Sequence, residues 1–188
     1  LSSDRANAVI QDREGFYWIA TPDGLNRFDG SNCKIFRNIK NDSNSLSHNH
    51  CINLLEDDNG DIWIGTVRGL NRYRKSEGRF ERFFFHHPDI SFDRVNSCKG
   101  LAKDNAGNIW FSSYGLWQFN TRTGTWKQFL HESTNPASVP SGILAFLTYD
   151  PVNNGLWMSG AESFVFLDMS SGKFYSKSHN PGELTIFK

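Results

Sequence analysis

The sequence predicts an all-β protein built from four β-propeller blades, each a four-stranded antiparallel meander. Three observations predict it. Trp18, Trp63, Trp110 and Trp157 recur at spacings of 45, 47 and 47 residues. Each sits in one frame, with an aspartate six or seven positions earlier, a glycine just before and small residues after: Asp12-Arg-Glu-Gly15-Phe-Tyr-Trp18, Asp57-Asp-Asn-Gly60-Asp-Ile-Trp63, Asp104-Asn-Ala-Gly107-Asn-Ile-Trp110 and Asp150-Pro-Val-Asn-Asn-Gly155-Leu-Trp157. Each frame is followed by further short strand-like runs separated by turn residues. A period in the forties with several short strands per unit is the signature of propeller blades.

The second unit shows the pattern most fully. A first strand runs through Cys51-Ile-Asn-Leu-Leu-Glu56 and ends at the turn Asp57–Gly60, where Asp can bind the following backbone and Gly accepts positive φ. The second strand is Ile62–Thr66, short and β-branched. Arg68-Gly69 turns into the third strand Leu70–Tyr73, where alternation puts Leu70 and Arg72 on one face and Asn71 and Tyr73 on the other. Lys75–Gly78 turns into the fourth, Arg79–Phe83. The other units repeat this with edits: Gly24-Leu25, Gly69-Leu70 and Gly115-Leu116 become Ser163-Phe164. Third-strand apolar residues recur as Phe28, Tyr73, Phe119 and Leu167, and fourth strands carry Phe80/Phe83, Trp126/Phe129 and Phe174. A large flat side chain in every blade suits blade-on-blade packing, so the four Trp are expected on second strands and buried.

The expected blades span 1–38, 46–84, 92–130 and 139–178, and Asn180-Pro-Gly-Glu-Leu184 reads like the start of a fifth unit at 180–188. Rings of such units normally hold more than four blades. The expectation is the first part of a longer propeller, whose end faces favour self-association of the chain.

Composition excludes several classes. Twenty basic residues balance twenty acidic ones in 188 residues, with no basic run to hold a nucleic acid. No apolar stretch approaches a membrane span. The three cysteines fall on apolar slots of the repeat: Cys51 and Cys98 stand six residues before the turn aspartates, and Cys33 and Phe36 match Phe80 and Phe83. They read as small hydrophobes, with a Cys51–Cys98 disulfide left open. No metal is expected, since no ligand pair has workable spacing, and no cofactor motif is present. Asp57-Asp-Asn-Gly-Asp61 looks like a calcium loop but lacks its length and terminal Glu, so a hairpin turn is expected there.

The string Asp-x-x-Gly-x-x-Trp-Ile-Gly-Thr-x-x-Gly-Leu-Asn-Arg-Tyr, standing as Asp57 to Tyr73 and nearly as closely as Asp12 to Phe28, resembles the two-component-regulator propeller repeat. The openings Leu1-Ser2-Ser3 and Ser45-Leu46-Ser47 resemble that family's leader between blades. The resemblance implies that the chain is the N-terminal part of a larger, about seven-bladed propeller, forming a sensor region in the periplasm that commonly recognises an oligosaccharide or other small molecule. It also implies a parent receptor whose remainder carries a histidine kinase. That chemistry is not assigned to this chain, which is expected to have no enzymatic turnover. Two other readings stay open: an interaction or dimerisation propeller without a ligand, and a propeller lyase or hydrolase.

Rigid scaffolds carry ligand groups on loops. Turns joining second to third strands and segments joining blades share one face, whose varied positions are Asp23, Arg68, Tyr114 and Glu162. Trp117 adds to them by replacing the third-strand Asn seen at Asn26 and Asn71. These five are the candidate ligand-binding residues, since aromatic and Arg groups stack on or hydrogen-bond sugars. His48, His50, His86 and His87 lie in the blade connections and are candidates for pH sensing.

Overall fold

The structure, a computed structural model, describes residues 1–139, 144–159, 164–177 and 179–180. It contains four four-stranded antiparallel sheets, as the repeat predicts. The chain divides into two compact units, Leu1–Lys99 and Gly100–Lys188, each holding two sheets. In the first unit, β1 (Ala8–Gln11), β2 (Tyr17–Thr21), β3 (Gly24–Phe28) and β4 (Cys33–Phe36) pair in sequence order. β5 (Cys51–Glu56), β6 (Ile62–Thr66), β7 (Gly69–Arg74) and β8 (Arg79–Phe83) do the same, and a short helix α1 (Phe92–Asn96) follows them. The second unit holds β9 (Gly100–Lys103), β10 (Ile109–Ser113), β11 (Gly115–Asn120) and β12 (Thr125–Phe129), then β13 (Leu147–Asp150), β14 (Gly155–Ser159), β15 (Phe164–Asp168) and β16 (Lys173–Ser176). The helix has no counterpart in the repeat. Pro181–Leu184, read as the opening of a fifth unit, lies outside the described residues.

Every Trp of the repeat stands on the second strand of its sheet. Its indole N–H donates to the turn aspartate: Trp18 to Asp12 Oδ2, Trp63 to Asp57 Oδ2 and Trp110 to Asp104 Oδ2, each at 2.8 Å, and Trp157 to Asp150 Oδ2 at 3.0 Å. The other carboxylate oxygen holds the hairpin, accepting the amides of Glu14 and Phe16, of Asn59 and Asp61, and of Ala106 and Asn108 in the first three sheets. The Asp57–Asp61 segment is therefore the expected turn. In the last sheet the turn is one residue longer, Asn154 takes positive φ, and Trp157 is only half-buried.

A second tie joins the leader to the sheet in the first two blades. Ser2 N–H donates to Asn26 Oδ1 and Asn26 Nδ2 donates to Ser2 Oγ, both at 2.8 Å, while Ser2 Oγ meets Thr21 Oγ1. Ser47, Asn71 and Thr66 repeat the arrangement one blade later. Thr21 and Thr66 also donate to the carbonyls of Gly24 and Gly69, closing the turn between second and third strands. Gly69 sits at φ 120°, where a Cβ would meet the Phe84 ring at 2.9 Å, so only glycine fits. Gly65 has a different reason: the chain returns over it, and a Cβ there would lie 2.9 Å from the Cys98 carbonyl oxygen.

Packing within the first unit follows from strand alternation. Trp18 stacks on Phe36 with centroids 5.9 Å apart and meets Tyr73 of the next sheet at 5.4 Å, and Phe36 meets Phe80 edge-on. One core joins Trp18, Ala20 and Leu25 to Leu54, Ile62, Ile64, Tyr73 and Phe80. In the second unit Trp110 stacks on Phe129, which meets Phe174 of the β13–β16 sheet. Buried charges accompany this packing. Arg72 lies over Trp63 and pairs with Asp61 at 2.8 Å. Lys75 Nζ reaches Asp12 at 3.1 Å, Glu14 at 3.1 Å and Glu56 at 3.4 Å, clasping the first two sheets together.

The cysteines separate by environment. All three are free thiols. Cys51 and Cys98 are buried as expected, and burial pushes the Cys51 thiol up to about 12 and the Cys98 thiol higher still. Cys98 precedes β9 instead of lying in the first strand. Cys33 is exposed, against expectation. Its slot corresponds to Phe80, which is buried because the first sheet stands in front of it, whereas the face of the first sheet that carries Cys33 is open.

Two stability outcomes follow. Trp63→Ala should cost about 3–5 kcal/mol, as for large aromatic truncations in cores, and Trp157→Ala should cost less because its ring is half-buried. An unchanged denaturant midpoint for Trp63→Ala would contradict the packing described. Burial alone would raise the Asp12 carboxyl, but the Trp18 and Lys75 hydrogen bonds outweigh it and hold it below its ordinary 3.8. Its contribution is full above that value and is lost as pH falls through the lower folded one. Lys75→Met should lower stability by about 1–3 kcal/mol at neutral pH and move the onset of acid unfolding upward, read from denaturant midpoints across pH 2–7.

Candidate functional site

The meander places the turns between second and third strands, together with the blade-connecting segments, at one end of each sheet. In the first unit this end gathers a cluster around Arg68. Its guanidinium lies over the Phe92 ring at 5.2 Å, and its Nε is 3.3 Å from Asp93 Oδ1. Phe92 in turn meets Phe84 at 5.6 Å, and both rings are exposed. The result is a solvent-facing cation laid on an aromatic shelf.

His48 and His50 adjoin it through the leader of the second blade. The backbone N–H of His50 donates to His48 Nδ1 at 2.9 Å, so that nitrogen carries no proton. Burial lowers the His48 imidazole below its ordinary 6.5, the charges of His50 and Arg68 lower it further, and Asp93 opposes them. The His50 carbonyl accepts the Val67 N–H, tying leader to turn. His86 is exposed, and His87 Nδ1 accepts the Asp89 N–H at 3.2 Å.

The other sequence candidates take separate places. Asp23, in the β2–β3 turn, is bound by Arg37 through Nη2 at 2.8 Å, and this hydrogen bond lowers its carboxyl. Tyr114, in the β10–β11 turn, is half-buried, and its carbonyl accepts from the Gln128 side chain at 3.0 Å. Trp117 lies within β11, stacked on Phe111 at 5.9 Å with planes 8° apart. Because it replaces the leader-binding Asn, its sheet lacks the tie seen at Asn26 and Asn71. Glu162 lies outside the described residues. Among the four described candidates, Arg68 is the one placed beside a sequence-flagged histidine, His48.

Sequence reading missed Phe92 and Asp93, which give Arg68 its setting. They belong to α1, inserted between blades where no repeat position marks them. It also missed a shallow cup of about 490 Å³ at the opposite end of the first sheet, lined by Glu14, Gly15, Phe16, Asp29, Ser31 and Asn32. There Asp29 Oδ1 is engaged by the amides of Ser31 and Asn32, and Arg27 covers Phe16 at 4.6 Å. Among the described residues no group of three His, Cys, Asp or Glu is placed to hold a metal ion.

Residues 45–68 match the family described as two component regulator propeller. A 47-residue stretch, 25% of the chain, is 47% identical to Histidine kinase P4 of Formosa agariphila and covers 3% of that protein. Among solved structures, the chain resembles the extracellular domain of what is described as a hybrid two component system from B. thetaiotaomicron. The likeness has a TM-score of 0.78 at 24% identity, over 94% of this chain and 25% of that one. It also resembles virginiamycin B lyase from Staphylococcus aureus, with a TM-score of 0.68 at 14% identity over 94% of this chain and 57% of the lyase. At these identities the structural likenesses are of fold. The chain spans a small part of the kinase and a quarter of the hybrid-system domain. Among the described residues no helix is long and apolar enough to cross a membrane.

The Arg68 cluster makes a titration prediction. The His48 ring proton resonance should titrate with a midpoint below 6.5. Asp93→Asn should lower the midpoint further, and Arg68→Gln should raise it. Because the folded value is depressed, the conformation around His48 is stabilised above the ordinary imidazole range and loses that stability as pH falls through it. A midpoint at or above 6.5, insensitive to both substitutions, would refute the described surroundings.

Proposed function

We propose that this chain forms part of an extracytoplasmic sensor propeller that recognises an oligosaccharide or related small molecule and relays it to a histidine kinase elsewhere in its receptor. The two-component-regulator repeat at 45–68 supports the receptor setting, as does the fold shared with an extracellular domain of a hybrid system. The observation that carries ligand recognition is the Arg68 guanidinium held over Phe92 on an exposed loop face. Arg offers a planar fork of donors to hydroxyl or carboxylate oxygens, and the adjoining Phe rings offer apolar faces to a sugar ring. His48 and His50 enlarge the polar rim. Asp23, Tyr114, Trp117 and Glu162 remain proposed contributors on the same reasoning. The role is binding, with no turnover.

The test is calorimetric titration of the purified chain with a panel of neutral and uronic-acid oligosaccharides. Arg68→Ala should weaken binding at least about tenfold, or roughly 1.4 kcal/mol, while leaving the thermal midpoint nearly unchanged because the side chain is exposed. Binding that ignores Arg68→Ala would remove this cluster from the site. Release of shortened or unsaturated sugars, seen by mass spectrometry, would favour a lyase or hydrolase instead.

A further inference from the structure

The aromatic shelf beside Arg68 is held by Asn96, a buried amide. Asn96 Nδ2 donates to the carbonyls of Phe85 and Phe92, both at 2.9 Å, and its Oδ1 accepts the Phe85 N–H at 2.7 Å. One side chain thus ties α1 to the segment leaving β8 and seats the Phe84 and Phe92 rings side by side. Because glycine stands at position 69, the Phe84 ring can also rest against the β6–β7 turn. All of these residues lie in the second blade and the connection after it, inside the first unit. The shelf therefore needs little further ordering when a ligand arrives.

Arg68 lies on this shelf with one edge to spare. The Phe92 ring faces the guanidinium at 5.2 Å, and Asp93 Oδ1 stands 3.3 Å from Nε. Among the described residues no hydrogen bond engages Nη1 or Nη2. That edge carries two parallel N–H groups, a spacing that a carboxylate satisfies with both of its oxygens. A sugar hydroxyl occupies one of them and leaves the other to water. Charge favours the carboxylate as well, since a guanidinium is always cationic and attracts an anion more strongly than a neutral hydroxyl. The Phe84 ring, 5.6 Å from Phe92 and inclined to it by 42°, is 49% exposed and offers a surface for the apolar face of a sugar.

We propose that the ligand of this site is an acidic sugar, a uronate whose carboxylate docks end-on at Nη1 and Nη2 of Arg68 while its ring lies on Phe84. This rests on the ligand reading above and narrows it. Asp93 is a positioning residue in this arrangement. By holding Nε it closes the side-on approach to the guanidinium and leaves the terminal edge for the ligand. Its own negative charge sets a limit on affinity for an anion. Asp93→Asn keeps an acceptor for Nε and removes that repulsion.

Calorimetric titration of the intact chain with matched pairs tests it: oligosaccharides of galacturonic, glucuronic and mannuronic acid, each set against its methyl ester, which has nearly the same shape and no charge. The acids should bind at least about tenfold tighter than their esters, and the preference should shrink as salt rises. Arg68→Lys, which keeps the charge and loses the fork, should weaken the acids by about tenfold. Asp93→Asn should tighten them by about three- to tenfold and leave neutral sugars unchanged. Both side chains are exposed, so folding should survive, as near-ultraviolet circular dichroism will show. Esters that bind as tightly as acids, with Arg68→Ala still weakening both, would overturn the carboxylate assignment and leave the broader ligand reading standing. A preference for sulfated neutral sugars would overturn it too, as would acid binding indifferent to Arg68→Lys or not strengthened by Asp93→Asn. Binding of none of these sugars would remove the ligand reading along with it.

Discussion

The rest of the structure depends on one hydrogen bond repeated four times, from the indole of the second-strand tryptophan to the turn aspartate. A buried carboxylate is costly unless its oxygens are satisfied. In the first three sheets one oxygen takes two turn amides and the other takes the indole, so a single side chain shapes the hairpin and aims the ring. With its N–H satisfied inside its own blade, the Trp face is free to pack on the neighbouring sheet. The spacing of six residues between Asp and Trp is the consequence. It brings the ring back beside the carboxylate across a tight turn, and the seven-residue variant at Asp150 bends through Asn154 to keep the contact.

Where packing alone would leave the blades free to slide, charges fix their alignment. Lys75 draws on carboxylates from two sheets, and Arg13 donates through its guanidinium to the carbonyls of Asp57 and Asp58 in the neighbouring hairpin. These contacts sit at the hairpin end of the first unit. The opposite end, where leaders and second turns meet, is held by neutral Ser–Asn–Thr ties that use few charges. Arg68 and Asp23 at that end therefore project from a framework whose own hydrogen bonds are already complete. That division lets loop residues vary without disturbing the blades.

Much of this was legible in the sequence because the repeat is periodic. The four strands of each sheet, the Trp positions and the turn at Asp57–Asp61 all follow from matching one unit to the next. What the repeat could not show is what depends on a neighbour. Cys33 occupies the same slot as Phe80, but a slot reports which face a residue is on and not whether anything stands before that face. The setting of Arg68 was hidden for a related reason, since Phe92 and Asp93 come from an insertion with no counterpart in other units. Arg72 was placed on the correct face, yet alternation says nothing about its pairing with Asp61, which needs the register of two strands. Trp117 was visible as a departure from Asn. Its stacking on Phe111 required the cross-strand partner to be known.

The leader ties and the Lys75 clasp differ in reach along the chain, and this sets an order of assembly as the polypeptide emerges from its N-terminal side. Ser2 and Asn26 are 24 residues apart, so the first blade can close on its leader as soon as its third strand emerges. Asp12 waits much longer for its cation, which arrives with Lys75, 63 residues downstream. Until then the carboxylate has only the indole and the turn amides, and the first sheet stands without the neighbour that covers Trp18. Short-range closure followed by a longer-range lock lets the first blade form quickly and become fixed only when the second is complete. Nascent chains halted between those two points would hold a formed but unlocked blade.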